Sequence, residues 1–142
     1  MDKIIQLNLN KVKTQLADLK NLASKNNWKY FYDKDLDQLS LSPKVISPEV
    51  FLHSLNKEIA IYLDKQSNVR GMFIEYFFSN FAEHEEEFKK LEELLTVEVD
   101  GLETISADKS DEASLITDAL QGKALADLIK APEQQISVSA PS

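Results

Sequence analysis

The feature that most constrains this chain is a change in the repeat of its apolar residues, from helical spacing to alternation at Trp28 and back near Phe77. A helix brings every third or fourth residue to one side and a strand every second, so a switch of period marks a switch of backbone. Before the first switch, Ile5, Leu9, Val12, Leu16, Leu19 and Ala23 recur at spacings of four and three, which predicts an amphipathic helix over 3–24. Asn26 and Asn27 favour a turn after it. Between the switches, Trp28, Tyr30 and Tyr32 are expected on one face of a strand, and Leu39 and Leu41 on one face of the next. Pro43 and Pro48 bracket an irregular connection, because each lacks the amide that a central strand needs. "VFLHSL" reads as a short strand or as a helix begun by Ser47 and Pro48; "EIAIYLD" and "VRGMFIEYF" read as a hairpin around "KQSN".

Beyond the second switch, Phe77, Phe81, His84, Phe88, Leu91 and Leu95 restore the four-three spacing, which predicts a second amphipathic helix over 77–95. The expected fold is therefore α+β: an antiparallel sheet of four or five strands over 28–76, covered by two amphipathic helices, in a single domain over 1–95. Leu9, Leu16, Tyr30, Leu39, Ile59, Ile61, Phe73, Phe81 and Phe88 are the expected core. Residues 96–109 read as an acidic linker or a weak edge strand. A third helix is predicted over 110–131, with Ser110 as its N-cap and Asp111 and Glu112 in the first turn, where the helix dipole favours negative charge. Its apolar stripe is Leu115, Ile116, Ala119, Leu120, Leu125, Leu128 and Ile129, and 132–142 read as a flexible tail.

Charge narrows the function classes. The chain carries a net charge of −8, which argues against direct nucleic-acid binding, since phosphate contacts need a basic face. The charge is uneven: 1–29 hold six lysines against two aspartates, and 83–118 hold thirteen acids against three lysines. No apolar run is long enough to span a membrane, and "MDKIIQLNLNKVK" does not read as a secretion signal, so a cytoplasmic location is expected. The absence of cysteine removes disulfides, thiolate metal sites and cysteine nucleophiles.

Two stretches carry candidate chemistry. Asp33, Asp35 and Asp37 stand at alternate positions, as acids do in the first half of a calcium loop of the EF-hand kind. The sixth position of such a loop would be Gln38 and the twelfth Lys44, where a glycine and a bidentate glutamate are needed, so a hairpin turn held by Asx-type hydrogen bonds is the expected structure. In "EHEEE", His84 lies between Glu83 and Glu87, but neither Glu-x-x-His nor His-Glu-x-x-His occurs, and His84 falls on the apolar stripe. It is expected as a half-buried packing residue whose ring nitrogens find a carboxylate or water. No Gly-x-Ser-x-Gly elbow or phosphate-cradling loop is present, with only 3 glycines in the chain. No catalytic residue, cofactor site or metal site is therefore assigned.

"WKYFYDKDLDQLSLSP" with "NKEIAIYLDKQSNVRGMFIEYF" resembles a small bacterial β-meander family marked by Tyr-Asp-x-x-x-Asp-x-Leu in a first hairpin and Val-x-Gly before a final apolar strand. The matching positions are Tyr32, Asp33, Asp37, Leu39, Asp64, Val69 and Gly71, within 28–78. The resemblance implies a compact antiparallel meander without known catalysis, some of whose relatives look like toxin–antitoxin components. Gly71 independently suggests a bulge or a close backbone approach.

The functional expectation is a non-enzymatic protein-binding module, antitoxin-like or regulatory, that engages a basic protein through its acidic C-terminal third. Two placements of the third helix are open: its stripe in a groove on a partner, or on its own sheet. A metal-assisted hydrolase using Asp33, Asp35 and Asp37 and a homo-oligomer built on the first helix are the competing readings.

Overall fold

The computed structural model describes residues 3–130 and 137–140, with side chains over 7–128. The fold is α+β, built on one antiparallel sheet of seven strands with five α-helices. In chain order the elements are β1 (Lys3–Gln6), α1 (Leu9–Leu16), α2 (Leu19–Lys25), β2 (Lys29–Asp33), β3 (Gln38–Ser42), β4 (Phe51–Ser54), β5 (Ile59–Leu63) and β6 (Val69–Ile74). A helical connection follows, with a π-type turn (Phe77–Phe81), α3 (Ala82–His84), a 3-10 turn (Glu86–Lys90) and α4 (Leu91–Leu94). Then come β7 (Leu95–Val99), β8 (Leu102–Ile105), α5 (Ser110–Lys130) and β9 (Ser137–Ala140). The seven strands lie in the order β4-β5-β6-β3-β2-β8-β7, and β1 pairs separately with β9.

The sheet is two-sided in composition, as alternation requires. Tyr30, Tyr32, Leu39, Leu41, Ile59, Ile61, Met72 and Ile74 face one core together with Val12 and Leu16 of α1, Leu19 and Ala23 of α2, and Phe77, Phe81, Phe88 and Leu91 of the connection. Leu9 is half-buried against this core. Phe73 does not belong to it: its register partner is Ser40, opposite Phe31, so these residues share the other face.

Several sequence expectations are corrected. The first helix does not begin at residue 3, because 3–6 form β1, paired with a strand more than a hundred residues away that no local period reports. Asn8 caps α1 by accepting the Lys11 amide at 3.1 Å, and the helix breaks again between Leu16 and Leu19. Asn27, at φ 60°, takes the left-handed backbone that ends α2. The second helix, expected as one rod over 77–95, changes pitch within a few residues and stops at Leu95, although its spacing does pick out the buried Phe77, Phe81, Phe88 and Leu91. Residues 96–109 are not a linker: they hold most of the β7–β8 hairpin, which raises the sheet beyond the expected four or five strands. Its turn is Asp100-Gly101, both at positive φ, a strong short-range hairpin signal that the acidic composition masks. Helical rotation starts at Ala107, after the extended Ser106, so Ser110 lies inside the helical run and is not its cap. Of the expected tail, 137–140 form β9, and 132–136 and 141–142 lie outside the described residues.

Gly71 meets both expectations for it. The β5–β6 register shifts between Tyr62 and Leu63, and a Cβ on Gly71 would stand 2.9 Å from the Ser42 Cβ.

If α5 is an integral part of the core, Leu120→Ala, at a side chain 1% exposed, lowers unfolding free energy by about 2–5 kcal/mol in urea titration. Leu115→Ala on the same helix, 64% exposed, changes it by less than about 0.5 kcal/mol.

Candidate functional site

Two of the three aspartates of the first hairpin hold the turn, each differently, and the third, Asp35, is exposed. The Asp33 carboxylate accepts the amides of Asp35 (3.0 Å) and Leu36 (3.2 Å), an Asx-type turn. Asp37, at φ 51°, sits where the chain turns back into β3. Its carboxylate accepts the Tyr32 hydroxyl (2.6 Å) and the amides of Phe78 (2.9 Å) and Ser79 (3.0 Å), and its carbonyl accepts the Phe77 amide (2.8 Å). Asp37 thus ties the hairpin to the start of the helical connection. Burial opposes its ionisation, but hydrogen bonds from Ser79, Tyr32 and the backbone amides outweigh burial and hold the carboxyl below its usual value. Burial and the bond to Asp37 push the Tyr32 hydroxyl strongly upward.

Asp64 organises the second hairpin in the same manner. It accepts the amides of Gln66 and Asn68, the Asn68 side chain, and Arg70 at 2.8 Å. The loop is fastened to α1: the Asn8 amide donates to Ser67 Oγ (3.0 Å), Gln15 Nε2 to the Ser67 carbonyl (2.8 Å), and the Val69 amide to Gln15 Oε1 (2.8 Å). Every position that carries the family resemblance therefore has a structural task, in turns, packing or close approach.

His84 is exposed, not half-buried. Its ring stands edge-on to Phe81 at 5.7 Å, and Nε2 lies 2.5 Å from Glu58 Oε2, which also accepts Asn80 Nδ2 at 2.8 Å. Nearby, Lys123 bridges Glu85 at 3.0 Å, joining α5 to the helical connection. His53 lies in β4 opposite Ile61, and burial lowers its pKa. Among the described residues no three His, Asp or Glu side chains converge as a metal site.

The predicted partner stripe is largely spent within the chain. Ile116, Leu120 and Leu128 are buried in the core, Ala119 and Leu125 pack half-buried against it, and Leu115 points to solvent. The side chain of Ile129 lies outside the described residues. Sequence spacing could not distinguish docking on the chain's own core from docking on a partner. Anchoring polar contacts make the difference: Gln121 Oε1 accepts the Leu19 amide at 3.0 Å, Thr117 meets the Tyr30 hydroxyl at 2.9 Å, and Lys20 bridges Asp118 at 3.0 Å.

The sequence does not show the far face of the sheet, and it gives the far edge only as one of two readings of 96–109. Ser54, Ala60, Phe73, Ser40, Phe31, Thr104 and Val97 form one in-register row across seven strands. The buried side chains of α1, α2 and α5 belong to the opposite face. Leu52 and Val97, near the two ends of this face, are exposed by 50% and 37%. Around β7, Glu92, Glu93 and Glu98 are exposed and have no ion pair among the described residues. Alternation of Val97 and Val99 about Glu98 was the available signal.

A cavity of about 480 Å³ opens between α2, β2 and the start of α5, with Trp28, Tyr30 and Ile105 in its lining. Its inner hydroxyls already pair with protein atoms: Thr104 donates to the Tyr30 carbonyl (2.6 Å) and Thr117 to the Ala113 carbonyl (3.0 Å). Comparison of the chain with protein-family models, curated proteins and solved structures gives no match. No helix among the described residues is long and apolar enough to cross a membrane.

The Asp37 tie carries a pH signature. A carboxyl lowered by folding adds stability above its unfolded pKa of about 3.9, and that contribution is lost as pH falls through the lower folded value. Asp37→Asn should cost about 1–3 kcal/mol near neutral pH, and the gap to wild type should close towards about pH 2. Urea midpoints across that range check it; a gap constant with pH contradicts the tie.

Proposed function

We propose that this chain is a non-enzymatic protein-binding module, antitoxin-like or regulatory, whose partner offers a basic surface to its acidic C-terminal third. The observation that carries the reading is the surface around β7: exposed glutamates at 92, 93 and 98 without an ion pair among the described residues, on and beside a strand whose Val97 ends a sheet face on which α1, α2 and α5 do not pack. Acids at the rim steer a basic partner and set its orientation, and Val97, 37% exposed beside them, adds apolar contact. The stripe of α5 is not the contact, since burying Ile116 and Leu120 in the core leaves little of it to offer.

Two features support a binding role over catalysis. Asp33 and Asp37 of the first hairpin are engaged in holding turns, and His84 is paired with a carboxylate, with no nucleophile among its hydrogen-bond partners in the described residues. The stripe of α1 and α2 is likewise spent on the core, through Val12, Leu16, Leu19 and Ala23.

Replacing Glu92 and Glu93 by lysine should weaken capture of the natural partner by about tenfold or more, and raised salt should weaken capture by the wild type. Leu115→Ala should leave it unchanged. Affinity capture from the source cell at two salt concentrations measures both, and equal capture by wild type and the Glu92/Glu93 variant contradicts the reading.

A further inference from the structure

The outer edge of β7 has no strand paired to it among the described residues, whereas β9 lies beside β4 at the opposite edge. The β7–β8 hairpin turns through Asp100 (φ 53°) and Gly101 (φ 83°), the two left-handed residues of a type I′ turn, so Val99 and Leu102 close it as a hydrogen-bonded pair. Alternation then makes Glu98 and Glu103 the non-hydrogen-bonded pair, and the N–H and C=O of Glu98 point away from β8 towards solvent. The register shifts between Leu95 and Val97, leaving Val97–Val99 as a regular open edge without the proline or lysine that commonly blocks one.

The side chains on this edge are also incomplete. Glu98 stands directly opposite Glu103, a like-charge pair that destabilises a ladder. Lys34 reaches Glu103 at 3.7 Å from the far side, but Glu98 has no cation among the described residues. On the opposite face, Val97 is 37% exposed and Val99 half-buried.

We propose that the β7 edge receives an extended, basic segment of a partner protein as an eighth strand, with a lysine or arginine opposite Glu98 and apolar residues opposite Val97 and Val99. The added strand exchanges both backbone hydrogen bonds with Glu98, and its cation flanks the Glu98–Glu103 pair from the side opposite Lys34, so that each acid has one cation beside it. A second copy of this chain is disfavoured as the occupant, because it would bring its own Glu98 and the neighbouring Glu92 and Glu93 to an edge already acidic. This rests on the protein-binding reading and gives that partner's contacting segment its chemistry.

The test uses the full chain and a synthetic peptide of about eight residues alternating valine and lysine, long enough for one strand. Its control is the same peptide methylated on the lysine backbone nitrogens, which keeps the charge and removes the donors. The unmodified peptide should bind roughly tenfold or more tightly than the control, and Glu98→Pro should remove that preference while Glu98→Gln retains part of it. In the wild type, peptide should slow exchange of the Glu98 amide, a readout that does not depend on how the proline variant folds. Equal binding of the two peptides, or a Glu98 amide unaffected by peptide, overturns the edge proposal. Either result is independent of natural-partner capture by the Glu92/Glu93 variant, which tests the broader reading.

Discussion

The architecture hangs on Asp37. Two strands meeting at a tight turn do not determine where the next layer sits. This residue does so, by offering its carbonyl to Phe77 and its carboxylate to Phe78 and Ser79. Those amides open the helical connection, whose first turn would otherwise leave its donors unsatisfied. Phe77 then stacks on Phe81 at 5.8 Å and meets Phe88 edge-on at 6.4 Å, so the hairpin turn fixes the aromatic cluster and, through it, the direction in which the chain enters β7. Tyr32 closes the arrangement from the sheet side, donating to Asp37 while its ring stands edge-on to Phe78 at 4.9 Å.

From that placement follows the division between inside and outside. The return of the chain through β7 and β8 brings β8 beside β2, and α5 then packs against α1 and α2 on the core face. Amphipathic helices in a segment this acidic suggest partner capture when read alone. Here they fill their own core, and the acids remain at the surface with a strand edge between them. Under the proposed reading, recognition and stability rest on different residues: the stripe of α5 holds the molecule together, and β7 offers backbone and charge that have no partner among the described residues.

How much of this was readable in the sequence varied with how local the cause was. The alternation of Tyr30 and Tyr32, of Leu39 and Leu41, and of Ile59 and Ile61 marked strands and faces, because a strand's burial follows its own residues. The turn role of Asp33 was readable from its spacing, whereas the reach of Asp37 to Phe78 was not, since it spans forty-one positions. Strand β1 was hidden because its partner lies at the other end of the chain. Phe73 is buried as its apolar character suggests, but on the opposite face from Met72 and Ile74, a separation that its place in the core alone does not reveal. Of the β7–β8 hairpin the sequence yields an edge strand as one of two readings, while its Asp-Gly turn is outweighed by the acids around it.

The claim on which the rest turns is that α5 belongs to the core and leaves binding to the β7 edge. Amide hydrogen exchange on the isolated protein measures this directly. Amides from Ile116 to Leu128 should exchange only as slowly as global unfolding permits, while the outward amide of Glu98 exchanges orders of magnitude faster. Rapid exchange along α5 with β2, β3 and β6 still protected would contradict it, and would return the helix to the role of a partner-seeking segment.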